Sequence, residues 1–290
     1  MSKVSKGSPC SIHFRRSLFR IKITTSYSCD TIKLMKKMKK LVVGNWKMNP
    51  QSLEEARDLA SSVKRAIARI KKTQVVLCPP FVYLSPLSGK VGGGFFLGAQ
   101  DANSLALGSY TGEVSYSQLY QFGVRFVILG HSERRNPSTG EGETDELINK
   151  KIKSVIFGGM TAIVCVGEAV RDQSGEYFGF IKNQITSALK DVSKKSADRL
   201  VIAYEPIWAV GAKESMNPRD LHEMSIFIKK VLKDLYGVFS ADVRVLYGGD
   251  ADRVNADSLV RDGNVSGLLV GRESLRAQDF IEMIKLIEEI

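Results

Sequence analysis

Eight short apolar runs, spread over about 250 residues and separated by amphipathic stretches, constrain this chain more than any other feature of its sequence. The runs are Leu41–Val43, Gln74–Leu77, Phe95–Gly98, Phe126–Leu129, Thr161–Val166, Leu200–Ala203, Val243–Leu246 and Gly267–Val270. Short, rich in β-branched residues and apolar on both faces, they read as parallel strands covered on both sides. Between them the spacing predicts helices over Ser52–Lys71, Glu143–Phe157, Tyr177–Lys194, Pro218–Leu235, Ala251–Arg261 and Gln278–Ile290. Ser52 stands in capping position with acids in the first turn, and Pro218 suits a first helical position. Two α/β architectures accommodate this alternation, a closed (β/α)8 barrel and an open doubly wound sheet. The open sheet usually carries a Gly-x-Gly-x-x-Gly turn after its first strand. Here Gly44-Asn-Trp-Lys-Met-Asn follows instead. Polar, reactive side chains sit at the C-terminal ends of several strands: Asn45 and Lys47, His131 and Glu133, and Glu205. A barrel with its site at that face requires this distribution, so a single (β/α)8 barrel over residues 38–290 is expected.

Composition and charge narrow the class. Of 290 residues, 43% are hydrophobic and 25% charged, which excludes a wholly disordered, collagen-like or disulfide-stapled chain. No run approaches the ~18 apolar residues of a membrane span. The net charge of +11 suggests a nucleic-acid partner only until its distribution is examined. Residues 1–37 hold nine of the 42 basic residues and one of the 31 acidic ones, so the remainder is close to neutral. Neither a nucleic-acid nor a membrane partner is expected. The basic leader lacks a persistent period and a 7–15-residue apolar core, so it is expected to be disordered and not a secretory signal. It reads as an upstream start with the initiator at Met38 (or Met35), as an organellar transit peptide, or as a functional basic tail. Cys10 and Cys29 fall in the leader, while Cys78 and Cys165 each end an apolar run as buried thiols do. That usage suits a reducing compartment, the cytoplasm, or an organelle if the leader is a targeting segment. No cysteine pair has Cys-x-x-Cys spacing, so no structural zinc is expected.

Three strand ends carry the chemistry. Asn45 and Lys47, two apart, point the same way, with Trp46 facing the helices. Lys47 reads either as a solvated loop charge or as a fixed cation for an anionic substrate. His131 follows a buried strand, next to a serine able to cap a following helix; it is either a satisfied structural group or a hydrogen-bond donor. A helix N-terminus favours the neutral imidazole. The other histidine of the body, His222, lies in a helical pattern and reads as a surface or packing residue. Glu205, among apolar neighbours, is a buried ion-pair partner or a base strengthened by desolvation. Pro206 and Gly211 bracket a segment, Ile207, Trp208 and Ala209 among it, able to act as a lid. Tyr247-Gly-Gly-Asp250 and Val270-Gly271-Arg272 follow the last two strands, where barrels commonly hold phosphate. Together these groups, without metal-ligand clustering, suit proton abstraction beside a carbonyl in a small phosphorylated sugar.

With these motifs in view the chain resembles the triosephosphate isomerases over nearly all of residues 41–276. The resemblance rests on Gly44-Asn-Trp-Lys-Met-Asn49, Gly98-Ala-Gln100, Tyr110-Thr-Gly-Glu113, Gly130-His-Ser-Glu-Arg-Arg135, Cys165-Val-Gly-Glu168, Tyr204-Glu-Pro-Ile-Trp-Ala209 and Tyr247-Gly-Gly249. It implies interconversion of glyceraldehyde 3-phosphate and dihydroxyacetone phosphate, a step of glycolysis and gluconeogenesis. In that reading Glu205 shuttles the proton and neutral His131 polarises the carbonyl. Lys47 binds the substrate anion, Asn45 orients it and Glu133 supports Lys47. It also implies a homodimer through the Asp101–Glu113 loop, with Thr111 near the partner's site, and no cofactor.

Departures from the family pattern cluster at the phosphate end. The family lid usually reads Gly-Thr-Gly-Lys, and here Gly211-Ala-Lys213-Glu stands in its place. Asp250 replaces a serine and Arg272 a glycine. Lys213 is expected to pair with Asp250, with Arg272 offsetting the remaining repulsion; the bland alternative has all three pointing to solvent. Isomerisation of another small sugar phosphate, or a non-catalytic barrel, also remains open on the sequence.

Overall fold

In the computed structural model, residues 38–138, 140–209 and 215–290 are described, and residues 38–290 form one compact unit. The sheet is a closed eight-stranded parallel barrel: β1 Lys40–Asn45, β2 Thr73–Cys78, β3 Phe95–Ala99, β4 Val124–Leu129, β5 Thr161–Val166, β6 Leu200–Tyr204, β7 Arg244–Tyr247 and β8 Gly267–Val270. Neighbours pair in sequence order and β8 returns to β1, with Leu41 opposite Gly267 and Gly44 opposite Val270. Five strands run one or two residues past the C-terminal ends of their apolar runs, to Asn45, Cys78, Ala99, Tyr204 and Tyr247.

Alternation along each strand separates two cores. Leu41, Val43, Val76, Ile128, Ile163, Val201, Ala203, Leu246 and Leu269 fill the barrel interior. Val42, Val75, Val127, Val164, Ile202, Val245 and Leu268 face the helices, as does Trp46. The next inward position above the packed interior is Asn45 on β1, Gly167 after β5, Glu205 after β6, Gly248 after β7 and Gly271 after β8. Three glycines in that layer leave space that larger side chains would fill. At the opposite end, Arg244 donates to Gln74 (2.6 Å) beside the Phe126 ring, and burial pushes its guanidinium down to about 10.

The helices are α1 Leu53–Ala66, α2 Leu84–Leu87, α3 Tyr116–Gln121, α4 Ser132–Arg135, α5 Asp145–Phe157, α6 Glu176–Ala188, α7 Pro218–Tyr236, α8 Ala256–Arg261 and α9 Ala277–Glu289. Ser52 caps α1 through the Glu55 N–H, and Asn217 caps α7 with Pro218 in its first turn. The expected Ser52–Lys71 helix gives way at Ile67 to a 3-10 turn, and the Tyr177–Lys194 helix stops at Ala188. The Ala251–Arg261 helix starts five residues late. There Asp252 Oδ1 accepts from the N–H groups of Val254 and Asn255, a local turn that competes with helix. The short α3, closed by a Ser115–Gln118 capping box, escaped the periodicity argument because six residues hold too little of a helical period. His222 packs between α7 and the turn after α8, its Nδ1 2.9 Å from the Asp262 carbonyl. No helix of the described residues is long and apolar enough to cross a membrane.

Cys78 and Cys165 are free, fully enclosed thiols of the interior, and burial pushes both well above the usual thiol range. Cys10 and Cys29 lie outside the described residues, as does the whole basic leader. Iodoacetamide at pH 8 is expected to leave peptides containing Cys78 and Cys165 unmodified in the native protein. Both should label fully after denaturation in guanidinium chloride. Native-state labelling at the denatured rate, read by peptide mass mapping, would contradict this core.

Candidate active site

Strand ends bring the site together at the C-terminal mouth of the barrel. A pocket of about 240 Å³ is lined by Asn45, Lys47, His131, Glu205, Gly248, Gly249, Asp250, Gly271 and Arg272. Among the described residues no group of three or more histidine, cysteine, aspartate or glutamate side chains is arranged to hold a metal ion.

Lys47 is fixed by its backbone. Its φ is +53°, a left-handed conformation a lysine adopts only when held. Asn45 Oδ1 accepts from the Lys47 N–H (3.1 Å), and Gln100 Nε2 donates to the Lys47 carbonyl (2.8 Å) and the Cys78 carbonyl (2.9 Å). The ammonium meets Glu133 Oε1 at 2.5 Å. Glu133 is thus a partner of Lys47 outside the pocket lining. Gln100, at the end of β3, is a site-building residue that the sequence reading noted only within a motif. Its signal was the one used elsewhere, a polar side chain just past a strand.

His131, not Ser132, caps α4. Its ring Nδ1 accepts from the Glu133 N–H at 3.2 Å, so the neutral ring carries its proton on Nε2. Nε2 lies 3.5 Å from Glu205 Oε1, and Glu205 Oε2 accepts from the Ser132 N–H at 3.2 Å. Gly130, at φ +68°, makes the turn between β4 and this constellation; its carbonyl accepts from Arg135 Nε at 2.7 Å. Arg135 also reaches Asp145 (2.6 Å) and the Cys165 carbonyl (3.1 Å), locking α4 onto β5.

Glu205 is 2% exposed, at the inward position above Ala203. Its N–H donates to the Val166 carbonyl (2.8 Å), extending the β5–β6 ladder by one step. Glycine is needed beside it, since a Cβ at Gly248 would stand 2.8 Å from Glu205 Cγ and one at Gly167 would collide with the Glu205 carbonyl. The following Pro206–Ala209 segment is a 3-10 turn closed by the Ala209 N–H on the Pro206 carbonyl. Its anchor is Glu168, another residue the sequence reading left without a role. Glu168 Oε1 accepts from Trp208 Nε1 (2.9 Å), Tyr204 OH (2.8 Å) and Arg171 Nε (3.2 Å), and the Glu168 carbonyl accepts from the Ile207 N–H (2.9 Å). Burial and the Glu168 charge push the Tyr204 phenol far above its usual range, so it stays a donor.

On the opposite rim Asp250 pairs with Arg272, Nη2 to Oδ1 at 3.1 Å. Asp250 is thus partnered, while the Arg272 side chain stays 64% exposed. Gly211 and Lys213 lie outside the described residues, and with them the expected Lys213–Asp250 pair.

This is a (β/α)8-barrel enzyme whose polar groups converge at the C-terminal face. The sequence profile of the triosephosphate isomerase family matches residues 40–287. The chain is 36% identical over 249 residues to the triosephosphate isomerase of Endomicrobium trichonymphae, covering 85% of this chain and 98% of that protein. It is 38% identical over 249 residues to that of Alkaliphilus oremlandii, with the same coverage. The solved triosephosphate isomerase of Bartonella henselae superposes with a TM-score of 0.74 at 30% identity, covering 86% of this chain and 98% of that one. The chain belongs to the triosephosphate isomerase family.

Replacing Glu168 by Ala removes the one oxygen on which Trp208, Tyr204 and Arg171 converge. The variant is expected to lose about 3–5 kcal/mol of stability through the unpaired Arg171 charge and to expose Trp208 further. Thermal melting and acrylamide quenching, with the enclosed Trp46 as constant background, measure the two effects. Wild-type quenching would show that Glu168 does not hold the turn.

Proposed function

We propose that the protein interconverts D-glyceraldehyde 3-phosphate and dihydroxyacetone phosphate by proton transfer through an enediolate. The observation that carries this is the pairing of a buried carboxylate, Glu205, with a neutral imidazole Nε2–H 3.5 Å away, both facing a pocket that also presents Asn45 and Lys47. A substrate carbon in the pocket, facing both, loses its proton to Glu205, which then returns it to the neighbouring carbon. His131 Nε2–H donates to the carbonyl oxygen as negative charge develops there, the hydroxyl proton of the neighbouring carbon passes to that oxygen by way of the ring, and Lys47 supplies a fixed cation close by. Before substrate arrives, the Ser132 N–H holds Glu205 Oε2; the base exchanges that bond for the substrate proton. Asn45 fixes Lys47 and orients the substrate, and Glu133 supports the Lys47 ammonium. The phosphate end falls at Gly271 and the Asp250–Arg272 rim. Pro206, Ile207, Trp208 and Ala209 form the base of a lid that excludes water from the enediolate.

In this reading the isomerase domain spans residues 38–290. The enclosed free thiols Cys78 and Cys165 support a reducing location, the cytoplasm. A homodimer through the Asp101–Glu113 loop is supported by Leu105, Leu107 and Tyr110, which the loop leaves exposed. The base of that loop is rigid: Lys151, 4% exposed, reaches Asp101 at 2.8 Å and Glu143 at 2.6 Å, and Arg134 meets the same two carboxylates at 2.7 Å. An apolar loop on a fixed base suits insertion into a second copy.

Glu205→Gln keeps shape and removes the base. It is expected to lower kcat about 1000-fold while leaving substrate binding measurable; a tenfold or smaller loss would move the base elsewhere. Light scattering at micromolar protein is expected to return twice the mass of the chain. Fully active monomer at that concentration would refute the docking loop.

A further inference from the structure

The rim opposite Glu205 has an unusual charge arrangement. Asp250, after β7, and Arg272, after β8, both line the pocket and join the ends of adjacent strands through a single contact, Arg272 Nη2 to Asp250 Oδ1 at 3.1 Å. Glu273 Oε1 stands 3.9 Å from Arg272 Nε, too far for a hydrogen bond. The pocket lining thus holds three carboxylates, Glu205, Asp250 and Glu273, against two cations, Lys47 and Arg272. Lys47 pairs with Glu133, and its Cε passes 3.7 Å from where a Cβ of Gly271 would stand.

On the triosephosphate reading, on which this inference rests, the reacting carbons lie in the pocket against Glu205 and His131. The phosphate then reaches the Gly249–Asp250 and Gly271–Arg272 end of the pocket. Unpaired, the Asp250 carboxylate would repel a phosphate dianion there. Lys47 and Arg272 are the two cations of the pocket lining among the described residues, and Arg272, its side chain 64% exposed, is the one paired with Asp250. A guanidinium has five N–H donors in a planar fork, and the contact with Asp250 uses one edge only.

We infer that Arg272 bridges Asp250 and the substrate phosphate, donating to the carboxylate from one edge and to phosphate oxygens from another. Asp250 is a positioning residue: it holds the guanidinium at the rim, and Arg272 in turn neutralises it. Phosphate recognition in this chain then includes a side-chain charge contact alongside the glycine-lined backbone. The pair favours an anionic group, since a charged oxygen accepts a stronger hydrogen bond from the guanidinium than a neutral one.

The test uses the full chain, with kcat and KM for glyceraldehyde 3-phosphate and calorimetric Kd for inorganic phosphate. Arg272→Ala is expected to raise both KM and the phosphate Kd about 10–100-fold, with the loss falling on KM rather than kcat. Arg272→Lys should recover part of it, because a point charge replaces the fork. Asp250→Ser alone should shift Kd less than about fivefold, but in the Arg272→Ala background it should reverse most of the loss by removing the unneutralised carboxylate. Values within twofold of wild type for Arg272→Ala, or additive effects in the double variant, overturn the bridge. Wild-type protein without isomerase activity would count against the proposed reaction, and the phosphate Kd series would still decide the bridge.

Discussion

The pairing of β8 with β1 closes the sheet, and every feature of the site depends on that closure. An open sheet would place β1 and β8 on opposite edges, and Asn45, Lys47 and Gly271 would never meet. Closure gives each strand one face toward a filled interior and one toward the helices, so the residue that follows the last packed inward side chain is presented at the mouth. Asn45 above Val43, Glu205 above Ala203 and Gly271 above Leu269 arrive there for one reason, a period of two. The packed interior below cannot yield, which lets a buried carboxylate and a left-handed lysine keep their positions.

Much of this was legible because strands enclosed on both faces leave a simple trace. The eight runs specified the alternation, and the missing glycine turn after the first strand favoured the barrel over the open sheet. Asn45, Lys47, His131 and Glu205 were readable because a polar residue directly past an apolar strand has few structural reasons to be there. Gln100 and Glu168 satisfy the same description but act on backbone and on other side chains, and a sequence carries no record of which carbonyl or indole a polar group will meet. The Asp250–Arg272 pair shows the same limit from the other side. Its two charges were conspicuous, but their partnership depends on β7 and β8 being neighbours.

Helix ends were the least legible. The late start of α8 follows from one side chain, Asp252, whose carboxylate offers the backbone a turn in place of the helix. The loop it builds is the one that carries Asp250, whose carbonyl accepts from Asn255 Nδ2 at 3.4 Å. A continuous helix from Ala251 would have drawn those backbone groups away from the rim.

The turn at Gly130–Arg135 ties the two halves of the proposed chemistry together. Four backbone N–H groups start α4, and none is left to solvent. Those of Arg134 and Arg135 donate to the His131 carbonyl, that of Glu133 to the His131 ring, and that of Ser132 to Glu205. The first pair makes the helix, the third sets the tautomer that presents Nε2–H, and the fourth holds the carboxylate within 3.5 Å of it. The proposed electrophile and base are therefore set by one short peptide segment, braced by Arg135 on β5. A disturbance of that segment alters the protonation geometry of His131 and the resting place of Glu205 together. Here the motif Gly-His-Ser-Glu-Arg-Arg is a unit of backbone hydrogen bonding before it is a set of side chains.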